Sequence, residues 1–523
     1  MNAWKIVART MPAVLVLLLV DPGGAAAARC RAVVRATAGA RVAIRSLCRP
    51  DRFRPGLDVP TPTIEGPITA GRGVPTIQGT SFDLAEVGYE EEEYFISGTA
   101  DAFANTRPLA TDGRWSVTPA GRADYKTRIV VYRPTDPARF NGTVVVEWLN
   151  VSGGLDAAPD WTMLHTEMTR EGYAYVAVSA QLVGIEGVPG GGPIPGLDLS
   201  LKAADPERYG SLVHPGDSFS YDVFSQAGQA VRRPAGVDPL RGLRAERVIA
   251  IGESQSAFRM MTYVNAFAPR HRIFDGYLIH SRGSGGAPLS QGPEPQIDVP
   301  GILHVRTDLD VPVLMFQTET DLLILGSLSS NQADSRGFRL WEVAGTAHAD
   351  TYTLLVGAGD QGDDPSKADL VVTAAPIPGI IECDSPINSG PQHYVLKAAM
   401  AGLERWVRTG AAPRRAPRIE VAGDPPQFVL DEHGNVRGGI RTSWVDAPIA
   451  VLSGLGQSGG SFCGIFGTTI PFDPADLDAL YPDHATYVRA VKGSTSRAVF
   501  QGFLRKADAE LIGAAAEASE IGR

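Results

Sequence analysis

Glu246–Phe267 reads ERVIAIGESQSAFRMMTYVNAF, and the turn in its middle decides how the rest of the chain is read. Glu246 to Gly252 is an apolar run closing on glycine, the pattern of a strand, and Ser256 to Phe267 has helical character. Between them stands Gly252-Glu253-Ser254-Gln255-Ser256. A serine at a sharp strand-to-helix turn is held in a strained conformation with its hydroxyl exposed, and the residues two before and two after it must be small. Gly252 and Ser256 meet that need, although Ser256 stands where such elbows usually carry glycine. The helix that begins here points its positive end at Ser254, and the Gln255 backbone N–H is placed to receive a developing oxyanion.

A serine hydroxyl needs a base to take its proton, and the base needs a third group to fix its tautomer. After Ser254 the strand-like VPVLMFQT (Val311–Thr318) runs into Glu319-Thr320-Asp321, and FRLWEVAG (Phe338–Gly345) runs into Thr346-Ala347-His348-Ala349-Asp350. The order serine, acid, histidine at successive strand ends selects Ser254, Asp321 and His348. Glu319 is the alternative acid, and capping of the following helix-like LLILGSL is the alternative task for Asp321. A second oxyanion donor is expected from the loop Asn150-Val151-Ser152-Gly153-Gly154, with Val151 or Ser152 as candidates. His280-Ser281-Arg282 is read with equal weight as pocket lining or as structure. A literal GxSxG at Gly456–Gly460 fails the structural test: glycines follow Ser458 where a helix is needed.

Outward from this centre, strand-like runs at Glu92–Ala100, Tyr125–Pro134 and Gly142–Asn150 precede a helical stretch, Ala157–Arg170, and a continuously apolar run from Tyr173. Helical character returns at Tyr221–Arg233, strand-like FDGYLIHS spans Phe274–Ser281, and His393–Val407 is a strongly amphipathic helix. Alternating strand and helix predict an α/β fold with a mostly parallel sheet. The expected organisation is a leader or extended arm over 29–75, a core over 76–410 and a C-terminal elaboration over 411–523 packed on it. The core carries a Gly- and Pro-rich, lid-like insertion at about 182–217. A hairpin is expected around His433-Gly434-Asn435 and a helical tail from about Asp473.

The 523 residues are 44% hydrophobic and 20% charged, sufficient for a sizeable core, and 48 basic against 58 acidic residues give a net charge of −10. That sign is wrong for wrapping nucleic acid. Lys5 and Arg9, the apolar run Met11–Val20 and the small residues Ala25–Ala28 read as a signal peptide over 1–28, too short to span a bilayer, so a secreted or periplasmic protein with no stable membrane anchor after processing is expected. Cys30, Cys48, Cys383 and Cys463 show no metal or redox spacing, and Cys383 with Cys463, both in Gly- or Pro-rich loops, is the expected disulfide.

The stretches YEEEEYFISGTA, VVEWLNVSGG, GESQSAFRMMTYVNA, DGYLIHSRG and LWEVAGTAHAD together resemble a large exported group of α/β-hydrolase-domain proteins, over roughly residues 60–500. The resemblance implies an α/β-hydrolase fold with Ser254 as nucleophile and His348 as base; it supplies no substrate. The expected activity is hydrolysis of carboxylic esters, small or polymeric, through an acyl-enzyme, with no metal or organic cofactor implied. Peptidase, lactonase or acyltransferase chemistry, and a noncatalytic binding protein on the same scaffold, share every residue named.

Overall fold

A computed structural model describes residues 59–188, 198–460 and 462–523 and, of residues 1–58, the backbone of three short strands, Val16–Leu17, Cys30–Arg35 and Ala43–Cys48, paired antiparallel in that order. The expected signal segment, save its strand Val16–Leu17, and residues 189–197 of the insertion lie outside the described residues. Met1–Gly56 and Leu57–Arg523 are separate compact units.

The larger unit is built on a nine-stranded sheet. In chain order its elements are β1 (Thr63–Glu65), β2 (Tyr89–Asn105), β3 (Val117–Pro134), β4 (Thr143–Trp148), α1 (Pro159–Glu171), β5 (Ala174–Val178), α2 (Ser220–Arg232), β6 (Arg247–Glu253), α3 (Gln255–Ala266), β7 (Gly276–His280), β8 (Val313–Gln317), α4 (Glu319–Leu323), β9 (Phe338–Glu342) and α5 (Gln392–Thr409). Spatial order is β9-β8-β7-β6-β4-β5-β3-β2-β1. From β5 through β9 every pairing is parallel; β1, β2 and β3 add an antiparallel flank. The first sheet strand therefore lies inside the stretch read from sequence as a leader.

The sequence explains the parallel half. All five residues of β5, β7, β8 and β9 are buried, as they must be when helices cover both faces, and such strands read as apolar runs without alternation. Residues of α2 and α3 pack with one face of the sheet, around Phe224, Met260 and Tyr263. On the other face Trp161 and Leu164 of α1 pack with Val395, Leu396 and Met400 of α5. Helix α5 stops at Gly410, whose φ of 79° suits a left-handed cap that only glycine adopts without strain.

After Gly410 come a strand pair, β10 (Ala450–Ser453) and β11 (Thr468–Pro471), and helices α6 (Pro474–Leu480), α7 (His484–Gln501) and α8 (Lys506–Ala518). Asp473 caps α6 by accepting the Asp476 N–H, so the helical tail starts where the sequence pattern put it. Tyr481, Tyr487 and Ile512 share a core with Tyr394 of α5, which joins this region to the sheet layer. The turn at 433–435 is closed by a single antiparallel bridge, Leu430 to Val436, rather than by a regular hairpin. Cys383 and Cys463 form a disulfide, with Cα atoms 5.5 Å apart.

Candidate active site

Strand β6 ends at Glu253, helix α3 begins at Gln255, and Ser254 between them has φ 57° and ψ −120°. A positive φ in a residue with a Cβ costs energy and persists only where surrounding structure enforces it. Packing shows the enforcement. A Cβ on Gly252 would lie 2.9 Å from Met260 Cγ and 3.2 Å from Ser256 Cβ, so the turn closes only with small residues at both places. Ser256 is tolerated because its buried hydroxyl donates to the Leu149 carbonyl at 3.1 Å. The Ser254 N–H donates to the His280 carbonyl at 3.0 Å, fixing the turn to β7.

Ser254 Oγ lies 2.7 Å from His348 Nε2, and His348 Nδ1 lies 2.6 Å from Asp321 Oδ1. The three groups proposed from sequence thus come together, His348 3% exposed and Asp321 fully buried. Asp321 also performs the capping role, though from a position the sequence reading did not foresee. Helix α4 begins at Glu319, three residues earlier than the apolar pattern suggests, with Thr318 as its N-cap. Asp321 at the third helical position accepts the Thr318 N–H on Oδ2 at 2.7 Å while Oδ1 faces His348. This reciprocal cap fixes the carboxylate plane. Burial alone would depress the His348 imidazole, but the charge and hydrogen bond of Asp321, and the charge of Glu253, raise it above its ordinary value.

The alternative acid, Glu319, has other partners. Its Oε1 accepts the Gly345 N–H at 2.5 Å and its Oε2 the Gly454 N–H at 2.8 Å, tying the β9 exit to the β10 exit. Burial pushes its carboxyl up to about 7 against the pull of those two N–H groups.

Of the oxyanion-donor candidates, Ser152 is corrected: its N–H donates to the Asn150 side-chain oxygen at 2.8 Å, a local turn that any asparagine at that place favours. The Val151 amide makes no hydrogen bond among the described residues, and the Gln255 amide, first in its helix, has no acceptor within it. Asn150 Nδ2 reaches across to the Glu253 carbonyl at 3.3 Å and Oε2 at 3.2 Å, holding this loop against the elbow.

A cavity of about 350 Å³ opens over Ser254 and His348, walled by Phe258, Arg259, residues 286–288, Leu325 and Ile465. Ile465 comes from the C-terminal elaboration, two residues past Cys463, and its carbonyl accepts the Ala349 N–H at 3.4 Å. The described insertion residues Ile185, Leu201, Tyr209 and Leu212 pack on Phe95. His280, Ser281 and Arg282 are buried and structural. His280 pairs with Asp160 at 2.7 Å, and Arg282 donates to the Ser284 and Ser330 carbonyls. Ser458 is exposed beside the disulfide, its hydroxyl on Asp384 at 2.6 Å. Two neighbours of the site are not singled out by the sequence pattern. The elbow pattern constrains only the residues two before and two after Ser254 and gives Glu253 no role, although its carboxylate lies 3.4 Å from His348 Nε2. Arg259, one helical turn after Gln255, pairs with Asp217 at 2.8 Å and lines the cavity; its i+4 spacing from Gln255 was the available signal. Among the described residues no cluster of His, Cys, Asp or Glu is set to hold a metal ion, and no helix is long and apolar enough to cross a membrane.

The chain matches the family described as "Alpha/beta hydrolase domain" over residues 64–514. No curated protein matches it in sequence. Similar solved structures include acetyl xylan esterase 1 from a Thermoanaerobacterium species, with 13% identity, 54% of this chain and 81% of that chain covered, and a TM-score of 0.27. A glucuronoyl esterase from Solibacter usitatus has 12% identity, 53% and 70% coverage, and a TM-score of 0.26. A putative dienelactone hydrolase from Klebsiella pneumoniae has 13% identity, 47% and 85% coverage, and a TM-score of 0.26.

Proposed function

The chain belongs to the alpha/beta hydrolase domain family, and from that premise we propose that it is a serine hydrolase cleaving carboxylic esters through an acyl-enzyme. The carrying observation is the continuous relay from Ser254 Oγ through the His348 ring to Asp321, at 2.7 and 2.6 Å. In this reading Ser254 Oγ attacks the ester carbonyl as His348 Nε2 takes its proton, and the oxyanion is met by the Gln255 and Val151 amides. His348 then returns the proton to the leaving alcohol, and water repeats the sequence on the acyl-enzyme. The apolar walls Phe258, Leu325 and Ile465 beside the relay suit the hydrocarbon part of an ester.

The same proposal includes export to the periplasm or medium, supported by the signal-like residues 1–28 and by the disulfide, which persists in oxidising compartments. The test of the activity is labelling by a fluorophosphonate probe with the modified residue identified by mass spectrometry, followed by a panel of esters and amides with acyl chains from acetyl upward. Modification at Ser254 with ester turnover is the expected result; an unlabelled folded protein, or amide turnover exceeding ester turnover, defeats the reading.

A further inference from the structure

One buried acid touches the reacting nitrogen and has no part in the relay just described. Glu253 Oε1 lies 3.4 Å from His348 Nε2, the atom that also faces Ser254 Oγ at 2.7 Å. Its other oxygen is fixed by Asn150 Nδ2 at 3.2 Å, so the carboxylate is aimed rather than free to turn away. The backbone adds to this. Glu253 is the last residue of β6, directly paired with His280 of β7, and the strained turn begins at the next residue. A carboxylate here cannot retreat to solvent, since its side chain is 7% exposed.

Resting on the serine-hydrolase reading, we propose that Glu253 is a second carboxylate acting on His348, accepting a hydrogen bond from Nε2–H whenever the ring carries two protons. The proton count is unchanged by its presence. As Oγ bonds to the acyl carbon, the carbonyl π pair moves to the oxyanion and the Oγ proton passes to Nε2. That proton then lies between Glu253 Oε1 and the leaving oxygen, and it goes to the latter as the C–O bond breaks. Glu253 ends each half-reaction in the state in which it began it. Asp321 holds the imidazolium from the Nδ1 side and Glu253 from the Nε2 side.

The groups facing Glu253 decide its charge. His348 comes from the loop after β9, His280 from β7, Asp160 from α1 and Asp321 from α4. Burial pushes the Glu253 carboxyl up to about 7, with Asp160 and Asp321 adding to the rise and both imidazoles opposing it. His280 is itself raised: burial opposes its charge, but Asp160 at 2.7 Å outweighs that. Glu253 and His348 face each other across 3.4 Å, so the two titrate as a coupled pair rather than independently.

The test is the pH dependence of the second-order rate of fluorophosphonate labelling at Ser254, in wild type, Glu253→Gln and Glu253→Asp. Removing an anion this close to an imidazole lowers its pKa by about 1 unit or more. The acid limb of Glu253→Gln is expected at lower pH by that amount, with a plateau rate reduced about tenfold or more by loss of the imidazolium's partner. Glu253→Asp keeps the charge one methylene further back, and its limb is expected between the two. Limbs coinciding within about 0.2 pH unit in folded variants would reduce Glu253 to a packing residue. Wild type unlabelled at Ser254 removes the serine-hydrolase reading itself, a separate result. If the variants do not fold, ¹⁵N NMR of histidine-labelled wild type decides: two coupled steps for the His348 ring sustain the proposal and a single-proton curve overturns it.

Discussion

Replacing Asp321 by asparagine tests the relay most sharply, because the structure gives this side chain two donors and asparagine can accept from only one. Oδ1 faces His348 Nδ1 at 2.6 Å and Oδ2 accepts the Thr318 N–H at 2.7 Å. If the amide oxygen turns to Thr318, its NH₂ meets Nδ1, which must then accept; the ring proton moves to Nε2 and His348 can no longer take the Ser254 proton. If the oxygen turns to His348 instead, NH₂ opposes the Thr318 N–H and a buried donor is stranded, at a cost of about 1–3 kcal/mol. The first orientation leaves every buried group paired, so it wins. Turnover is then expected to fall about 10⁴-fold, equivalent to about 5 kcal/mol of transition-state stabilisation, while stability changes by less than about 1 kcal/mol. Steady-state turnover on the best ester of the panel, with thermal melting alongside, measures both. A variant that melts like wild type and keeps turnover within about tenfold refutes the assignment of Asp321.

Ser254→Ala should abolish turnover and labelling, whereas Ser458→Ala, at an exposed serine bonded to Asp384, should leave both at wild-type levels. Glu319→Gln sets an NH₂ against a backbone N–H at Gly345 or Gly454 and should lower stability by about 1–3 kcal/mol, read from denaturant unfolding, with the folded fraction still labelled at Ser254. A Cys383→Ser, Cys463→Ser double variant releases an 80-residue loop, worth about 4.5 kcal/mol in the chain-entropy model, and because Ile465 walls the cavity it should raise KM more than it lowers kcat.

The parts of this protein legible from its sequence are those in which local pattern and tertiary demand agree. The apolar runs of β5 through β9 are buried on both faces, and each strand end that carries Ser254, Asp321 or His348 is announced by the run before it. What stayed hidden depends on contacts between loops distant in sequence. Nothing local shows that Glu319 is bound by Gly345 and Gly454, the latter 135 residues away, and alternation along an extended chain gives Glu319 and Asp321 the same direction. The early start of α4 decides between them, since a helix turns the two side chains apart. Ser152 fails as a donor for a reason that was readable: asparagine two residues before it invites a side-chain-to-backbone turn that takes the amide. Glu253 is hidden because the elbow geometry demands small residues only at Gly252 and Ser256 and leaves the residue beside Ser254 unspecified.

The acidic groups around the site also give the protein a direction in pH. Burial raises Glu253 and Glu319 to about 7 and Asp350 to about 6. Elsewhere it raises Glu167 to about 7 and Asp222 to about 6. Each of these binds a proton in the folded chain at a pH where it would have lost it unfolded, so its contribution is present below the unfolded value and is lost as pH rises through the folded one. His280 and His348, raised by their carboxylate neighbours, have the same sign. The opposing groups are His165, His214, His271 and His393, which burial holds neutral and which gain stability as pH rises toward the ordinary imidazole value. Their gain is complete near pH 6.5, whereas the raised carboxyls continue to lose stability through about 7. The melting temperature should therefore fall between about pH 6.5 and pH 8, whereas rising pH, by deprotonating His348, favours labelling at Ser254. A melting temperature that climbs across that interval would show that the buried carboxyls are ionised well below neutrality and would remove the basis for this opposition between stability and activity.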